Sequence, residues 1–346
     1  MKQIYVVLII CIFNLITINA QTTTVVTEIS FPYALELNGN DLYIGEFFEN
    51  KISKIDITQN DPTITTVVTG VDTPTGLAIN GNDLYISSDD RILKIDITES
   101  TPTLTTVVSG LVAPEEIVIS GNYLYVAELI GKISRIDISE PVPTITLITA
   151  NLNNPEGLAL SGDNLYFTEN PTGTISKIDL TDSSLSVIPV ASTSNFFPTG
   201  IVVSGNDLYI AADTNTISKI DISESSPLIT TVLTDISAAQ RVVANDEFLY
   251  ISEFLGDSIL KYPLPLLSTQ DITANKTLAV LPNPVKDYIS ISNLSEKQNY
   301  VISNELGQVI LKGTISNNEK IDISDFSSGL YFMTLENSKT LKILKK

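Results

Sequence analysis

The chain has 346 residues, 43% of them hydrophobic, which is enough for two or three domains with buried cores. Residues 21–275 hold 33 acidic and 10 basic residues, a net charge of −23. This charge disfavours nucleic acid and anionic membranes as partners and favours cations or basic surfaces. Histidine is absent, which excludes a Ser-His-Asp triad and His-ligated zinc.

Residues 1–20 predict a secretory signal peptide. Lys2 supplies its positive charge, Ile4–Ile18 its apolar core, and Ala20 the small residue before a cut ahead of Gln21. A transmembrane anchor is the alternative, but the apolar stretch is short for a bilayer core of ~30 Å. We therefore expect a mature chain with no transmembrane span and no cysteine, since Cys11 is the one cysteine.

The motif Gly-Asn-Asp-Leu-Tyr-Ile at Gly81–Ile86 is one of six similar copies between residues 21 and 267. Successive copies of its tyrosine are 42, 40, 41, 43 and 41 residues apart, and these are Tyr43, Tyr85, Tyr125, Tyr166, Tyr209 and Tyr250. A period of about 40–50 residues is typical of propeller repeats.

Each repeat predicts four short strands, as the second repeat illustrates. Apolar stretches at Gly76–Ile79 and Leu84–Ser87 flank an Asn-Gly-Asn-Asp sequence, which predicts a tight hairpin turn. Further strands are predicted at Ile92–Ile97 and at Thr103–Val108, which is rich in β-branched residues. Six such antiparallel sheets predict an all-β fold, a six-bladed β-propeller.

The sixth repeat lacks a fourth strand, and the missing strand is predicted at the other end of the chain. Thr23–Thr27 copies Thr65–Thr69 but precedes the first repeat. We expect Thr23–Thr27 to pair with Ile259–Leu264, which closes the ring and removes a sheet edge.

The repeats resemble those of NHL and related six-bladed propellers. The resemblance rests on a unit best seen in Pro74–Ile79 and Pro155–Leu160, followed by Leu-Tyr-Ile/Val and Ile-x-Lys-Ile-Asp. It implies the fold and leaves the function open, because propellers include enzymes and binding proteins alike.

Residues 268–277 predict a linker, and residues 278–346 a smaller β-sandwich domain. Its landmarks Leu281–Pro284, Glu305–Val309, Gly329–Phe332 and Lys342–Lys346 resemble the C-terminal sorting domain, type A, of the type IX secretion system of Bacteroidetes. The resemblance implies Sec-dependent export, recognition by the type IX machinery, and an extracellular or outer-membrane surface location. A sandwich that only adds stability is the alternative.

Two sets of side chains are predicted to meet at one rim of the propeller. The first set follows the repeat prolines and comprises Tyr33, Thr75, Glu115, Glu116, Glu156, Thr199 and Gln240. The second set lies at the ends of the predicted second strands. It comprises Glu46, Ser88, Asp89, Glu128, Glu169, Asp213 and Glu253. The densest group is predicted to be a ligand site formed by Glu115, Glu128, Glu156 and Glu169.

Crowded carboxylates need a cation or hydrogen-bond donors, because their charges repel. Oxygen ligands favour Ca²⁺ or Mg²⁺. Ca²⁺ is the cofactor predicted for a metal site formed by Glu46, Glu128, Glu169, Asp213 and Glu253. The alternative is that each carboxylate accepts hydrogen bonds from loop amides and lysines within its own repeat.

Three functions are compatible with these features. The preferred one is an exported binding module for a protein, glycan or cation. The second is a metal-dependent lactonase or other hydrolase, similar to the gluconolactonase propellers. Those propellers place an asparagine where this chain has Thr75, Glu156 and Thr199, and this chain has no tryptophan. The third is a rigid structural or adhesive module.

Overall fold

The computed structural model describes residues 21–194, 196–264, 279–281, 285–292, 297–304, 307–317, 319–335 and 340–346. The predicted signal peptide and linker lie outside the described residues. The chain divides into two compact units, Met1–Leu266 and Leu267–Lys346. The domain boundaries predicted from the sequence stay predictions. In the described part of the chain, no helix has the length and apolar character to cross a bilayer.

The described residues of the first unit form six four-stranded antiparallel sheets, numbered 1 to 6 in the order of their innermost strands. The innermost strands are Pro32–Asn38, Pro74–Asn80, Pro114–Ser120, Pro155–Ser161, Pro198–Ser204 and Ala239–Ala244. The second strands are Asp41–Glu46, Asp83–Ser88, Tyr123–Glu128, Asn164–Glu169, Asp207–Ala212 and Phe248–Glu253. The third strands are Lys51–Asp56, Arg91–Asp96, Lys132–Asp137, Thr174–Asp179, Thr216–Asp221 and Ser258–Pro263. The outer strands are Thr65–Thr69, Thr105–Ser109, Ile145–Ala150, Val187–Ser192, Thr230–Leu233 and Thr23–Thr27. One short 3₁₀ helix, Asn170–Thr172, follows the second strand of sheet 4.

The predicted hairpins form because the turn residues suit them. In sheet 2, Asn80 pairs with Asp83 across a two-residue turn in which Gly81 has a φ of 63°. This left-handed conformation favours glycine, and such short turns match the twist of antiparallel strands.

Hydrophobic clusters between neighbouring sheets close the ring. One cluster joins Tyr43 of sheet 1 to Leu84 of sheet 2, and another joins Leu35 of sheet 1 to Tyr250 of sheet 6. The predicted closing strand is confirmed, since Thr23–Thr27 pairs antiparallel with the third strand of sheet 6. The first unit is therefore a closed β-propeller.

The second unit is a β-sandwich with one core. Its three-stranded sheet consists of Ala279–Leu281, Tyr288–Ser292 and Lys320–Asp322. Its four-stranded sheet consists of Val309–Ile315, Gln298–Asn304, Gly329–Leu335 and Thr340–Lys345. Ile289, Ile302 and Met333 are fully buried between them, so the two sheets share a hydrophobic core.

Candidate functional site

The mouth is the end of the propeller where the six innermost strands begin. The second residue of each innermost strand lies there. These residues are Tyr33, Thr75, Glu115, Glu156, Thr199 and Gln240. Thr75 and Thr199 donate hydrogen bonds to carbonyl oxygens of the next sheet, at 2.7 and 3.0 Å. The remaining four contribute larger polar groups to the channel.

A buried arginine bridges the channel just inside the mouth. The side chain of Arg241, on sheet 6, is 1% exposed. Its guanidinium lies 2.7 Å from a carboxylate oxygen of Glu115 and 2.8 Å from one of Glu116, both on sheet 3. The guanidinium carbon also lies 4.7 Å from the ring centroid of Tyr33, a cation–π contact.

The neighbouring sheets explain why these charged side chains fit at this level. The position held by Glu116 and Arg241 is glycine or alanine in the other four sheets, namely Ala34, Gly76, Gly157 and Gly200. A methyl group on Gly200 would overlap the carbonyl of Gln240 and the backbone of Arg241. Small residues therefore let the innermost strands approach closely, and the two charged side chains pair in the space that remains.

Tyr33 joins two of the predicted carboxylates. Its hydroxyl donates to Glu115 at 2.9 Å and lies 3.5 Å from an oxygen of Glu156. The other oxygen of Glu156 accepts from the amide of Asn170 at 2.7 Å. We call Tyr33, Glu115, Glu116, Glu156 and Arg241 the Arg241 cluster.

The carboxyl groups of the Arg241 cluster bind protons more tightly than exposed glutamates. Burial raises the pKa of Glu116 to about 7, against the opposing charge of Arg241. Burial likewise raises the pKa of Glu156 to about 7, again opposed by Arg241 and reinforced by Glu115. The pKa of Glu115 is also raised by burial. One guanidinium thus pairs with two buried carboxyl groups and lies near a third, and burial raises the pKa of all three.

The glutamates that end the second strands have a different role. Glu128 is fully buried and accepts from the amide of Val112 at 2.8 Å and from the hydroxyl of Ser134 at 2.6 Å. Lys132 lies 3.1 Å from it. Glu46, Glu169 and Glu253 likewise accept a backbone N–H from the residue sixteen positions before them. Each of these four glutamates therefore fixes the loop that enters its own sheet, the role that the structural alternative predicted.

Asp213 differs from these glutamates, since it is exposed and accepts from the amide of Gln240 at 3.1 Å. Of the predicted ligand group, Glu115 and Glu156 meet at Tyr33, while Glu128 and Glu169 bind within their own sheets. Within the described ranges no three carboxylates lie close enough to hold a metal ion. The Ca²⁺ site stays a prediction that this donor geometry does not support.

An aromatic wall flanks the mouth on sheets 1 and 6. It consists of Phe31, Phe47, Phe48 and Phe254, with ring centroids 4.9 to 6.1 Å apart in the contacting pairs. Tyr33 contacts Phe47 and Phe254, which links the wall to the Arg241 cluster. Phe48 is 60% exposed, so the wall presents an apolar surface to solvent.

The sequence expectations missed Arg241 and the aromatic wall. Arg241 is the one basic residue in the six innermost strands. This departure from the repeat could have marked it as a candidate site residue. No comparable signal marked the wall, because its phenylalanines come from loops at opposite ends of the propeller sequence.

Residues 279–346 match the secretion system C-terminal sorting domain. The second unit is a type IX sorting domain. Residues 114–146 and 199–233 match the LVIVD repeat, which is of the β-propeller type. The resemblances to propeller repeats and to the sorting domain are confirmed, although the matching repeat is LVIVD rather than NHL.

Solved structures share the propeller fold. Virginiamycin B lyase from Staphylococcus aureus is 16% identical, with a TM-score of 0.52 over 71% of this chain and 99% of that one. A candidate gluconolactonase is 11% identical, with a TM-score of 0.59 over 71% and 92%. A luciferin-regenerating enzyme is 14% identical, with a TM-score of 0.56 over 72% and 96%. At these identities the similarity shows the fold alone.

One curated relative matches a short part of the chain. Beta-agarase A from Zobellia galactanivorans is 34% identical over 67 residues, which are 18% of this chain. The chain therefore spans only 12% of the length of the agarase. The sorting domain indicates export to the cell surface or the extracellular space through the type IX machinery.

Proposed function

We propose that this protein is an exported binding module that takes its ligand at the mouth of the propeller. The observation that carries the proposal is the pairing of an exposed aromatic wall with carboxyl and amide groups on one face. Phe48 supplies apolar surface on sheet 1, while Glu156 of sheet 4 and Asp213 of sheet 5 supply hydrogen-bond acceptors at the same mouth. Aromatic anchors beside a few convergent polar groups are typical of binding sites.

Two ligand chemistries fit this surface. A sugar ring stacks its C–H face on phenyl rings and donates hydroxyls to carboxylates and amides. A basic side chain of a protein pairs its charge with the carboxylates, in keeping with the net charge of −23 over residues 21–275. The predicted signal peptide directs the module across the inner membrane, and the sorting domain then directs it to the type IX machinery.

A metal-dependent hydrolase has less support from the geometry of the mouth. Its fold is present, but most of its candidate ligands are hydrogen-bonded to loop amides of their own sheets. The rigid or adhesive module likewise has no specific observation in its favour beyond the repeats.

The binding proposal is tested by screening the full chain on printed arrays of glycans and of basic peptides. Phe48→Ser removes the exposed part of the wall and Glu156→Gln removes a carboxylate from the mouth. Leu228→Ser is the matched control, because Leu228 is 81% exposed on a loop away from the innermost strands. We expect the two mouth variants to lose array binding and the control to keep it. Absence of binding by the wild type, or equal binding by all variants, would contradict the proposal.

A further inference from the structure

Beyond the Arg241 cluster, the channel holds a cavity of about 180 Å³. All six innermost strands line it, mainly with leucine, isoleucine and valine side chains such as Leu77, Val118 and Val202. An aliphatic cavity of ~150 Å³ in another protein is large enough to bind benzene. The cavity therefore has room for one small ring or a short hydrocarbon chain.

The cavity is open toward the hairpin turns at the other end of the propeller. A second hollow of about 230 Å³ shares Glu36, Val118 and Leu160 with it. This hollow extends to Ile79 and Ile119, which lie next to the turns that leave the innermost strands. A small ligand can enter from that end without passing the Arg241 cluster.

Among the described residues that line the cavity, the polar side chains are those of two glutamates, Glu36 and Glu116. Glu116 already pairs with Arg241, while Glu36 accepts only the backbone N–H of Ile79, at 3.3 Å. No basic side chain in the described part of the chain forms an ion pair with Glu36. Burial, and then the charge of Glu116, raise the pKa of Glu36 to about 8. The cavity thus holds a carboxyl group with no cationic partner.

We propose that this cavity binds a small organic ammonium ion, such as a cycloalkyl or short alkyl amine. Its charge pairs with Glu36, and its hydrocarbon part contacts the aliphatic side chains of the channel wall. Glu36 is partly buried, and a carboxylate in apolar surroundings gains more from a paired cation than an exposed one does. The negative propeller also concentrates cations near the channel. This site is separate from the mouth and does not depend on the proposed function.

Calorimetric titration of the full chain at about pH 9 tests the proposal, with cyclohexylammonium chloride as the added ligand, because Glu36 is then mainly ionised and the amine still carries its charge. Glu36→Gln keeps the size of the side chain and removes its charge. Glu140→Gln is the matched control, because Glu140 is an exposed acid in a turn outside the cavity. We expect binding at one site per chain, weakened about tenfold or more in Glu36→Gln and unchanged in the control. Cyclohexanol, which has the same ring without the charge, should also bind about tenfold more weakly.

Three results would overturn the proposal. The first is no binding of cyclohexylammonium by the wild type. The second is equal binding by Glu36→Gln, which would show that the acidic surface attracts the cation without the cavity. The third is equal binding of cyclohexanol, which would show a purely apolar cavity. Circular dichroism of both variants confirms that the propeller is intact in each titration.

Discussion

Replacing Arg241 by methionine removes the one positive charge from a cluster of buried carboxyl groups. The variant keeps an unbranched apolar side chain in a space where the arginine is 1% exposed. Glu115 and Glu116 lose ion-pair contacts at 2.7 and 2.8 Å, and Tyr33 loses its cation–π partner. Breaking a buried ion pair by removing one partner costs ~3–5 kcal/mol.

The cost of this replacement depends on pH, because a protonated carboxyl group needs no counter-charge. Glu116 and Glu156 have pKa values of about 7 in the folded protein, so both are mainly protonated at about pH 5. We expect Arg241→Met to lower the free energy of unfolding by ~3–5 kcal/mol at about pH 8. At about pH 5 the loss should fall to ~1–2 kcal/mol, the size expected for lost hydrogen bonds and packing.

The assay is urea unfolding followed by circular dichroism at both pH values. Lys94→Met is the matched control, because Lys94 forms a half-exposed pair with Asp83 at 2.8 Å that should contribute at most ~1 kcal/mol. Adding Glu116→Gln to Arg241→Met should restore part of the loss at the higher pH. An equal loss at both pH values, or no loss at the higher one, would refute the reasoning.

Three further predictions concern the same propeller. Glu156 has a folded pKa of about 7, above the usual 4.5, so its contribution to stability declines as pH rises from about 4.5 to 7. Glu156→Gln should therefore flatten the stability profile by up to ~3 kcal/mol across that window. Gly200→Ala places a methyl group against the next sheet and should cost ~2–3 kcal/mol, whereas Gly121→Ala, in an open turn, should cost ~1 kcal/mol. Val26→Lys puts a charge into the closing strand and should cost ~3 kcal/mol or more, whereas Thr24→Lys, on its exposed face, should cost under ~0.5 kcal/mol.

Each of these predictions has a clear contrary result in the same unfolding assay. An unchanged pH profile in Glu156→Gln would show that its carboxyl group titrates normally. Equal losses in the two glycine variants would show that the innermost strands tolerate a methyl group. Equal losses in Val26→Lys and Thr24→Lys would show that the closing strand does not bury one face.

The ring and its closure were predictable because they follow from local signals that recur along the chain. Turn residues such as Gly81 mark each hairpin, and the likeness of Thr23–Thr27 to Thr65–Thr69 reveals the displaced outer strand. The sorting domain was predictable from its own sequence landmarks. Both features depend on residues close together in the sequence or on copies of one pattern.

The partners of the mouth residues were not predictable in the same way. The contact between Arg241 and Glu115 joins residues 126 positions apart on opposite sides of the channel. Glu128 and Glu156 were predicted to belong to one ligand group, yet Glu128 accepts from a loop amide of its own sheet and Glu156 lies near Tyr33 of sheet 1. A shared rim position does not specify which way each side chain turns, so packing decides its partner.

The most direct test of the binding function is a crystal structure of the full chain with the strongest ligand from the arrays. We expect electron density for the ligand against Phe48 and Tyr33, with a polar contact to Glu156 or Asp213. A ligand bound on the outer strands of the propeller or on the sorting domain, with the mouth empty, would contradict the account.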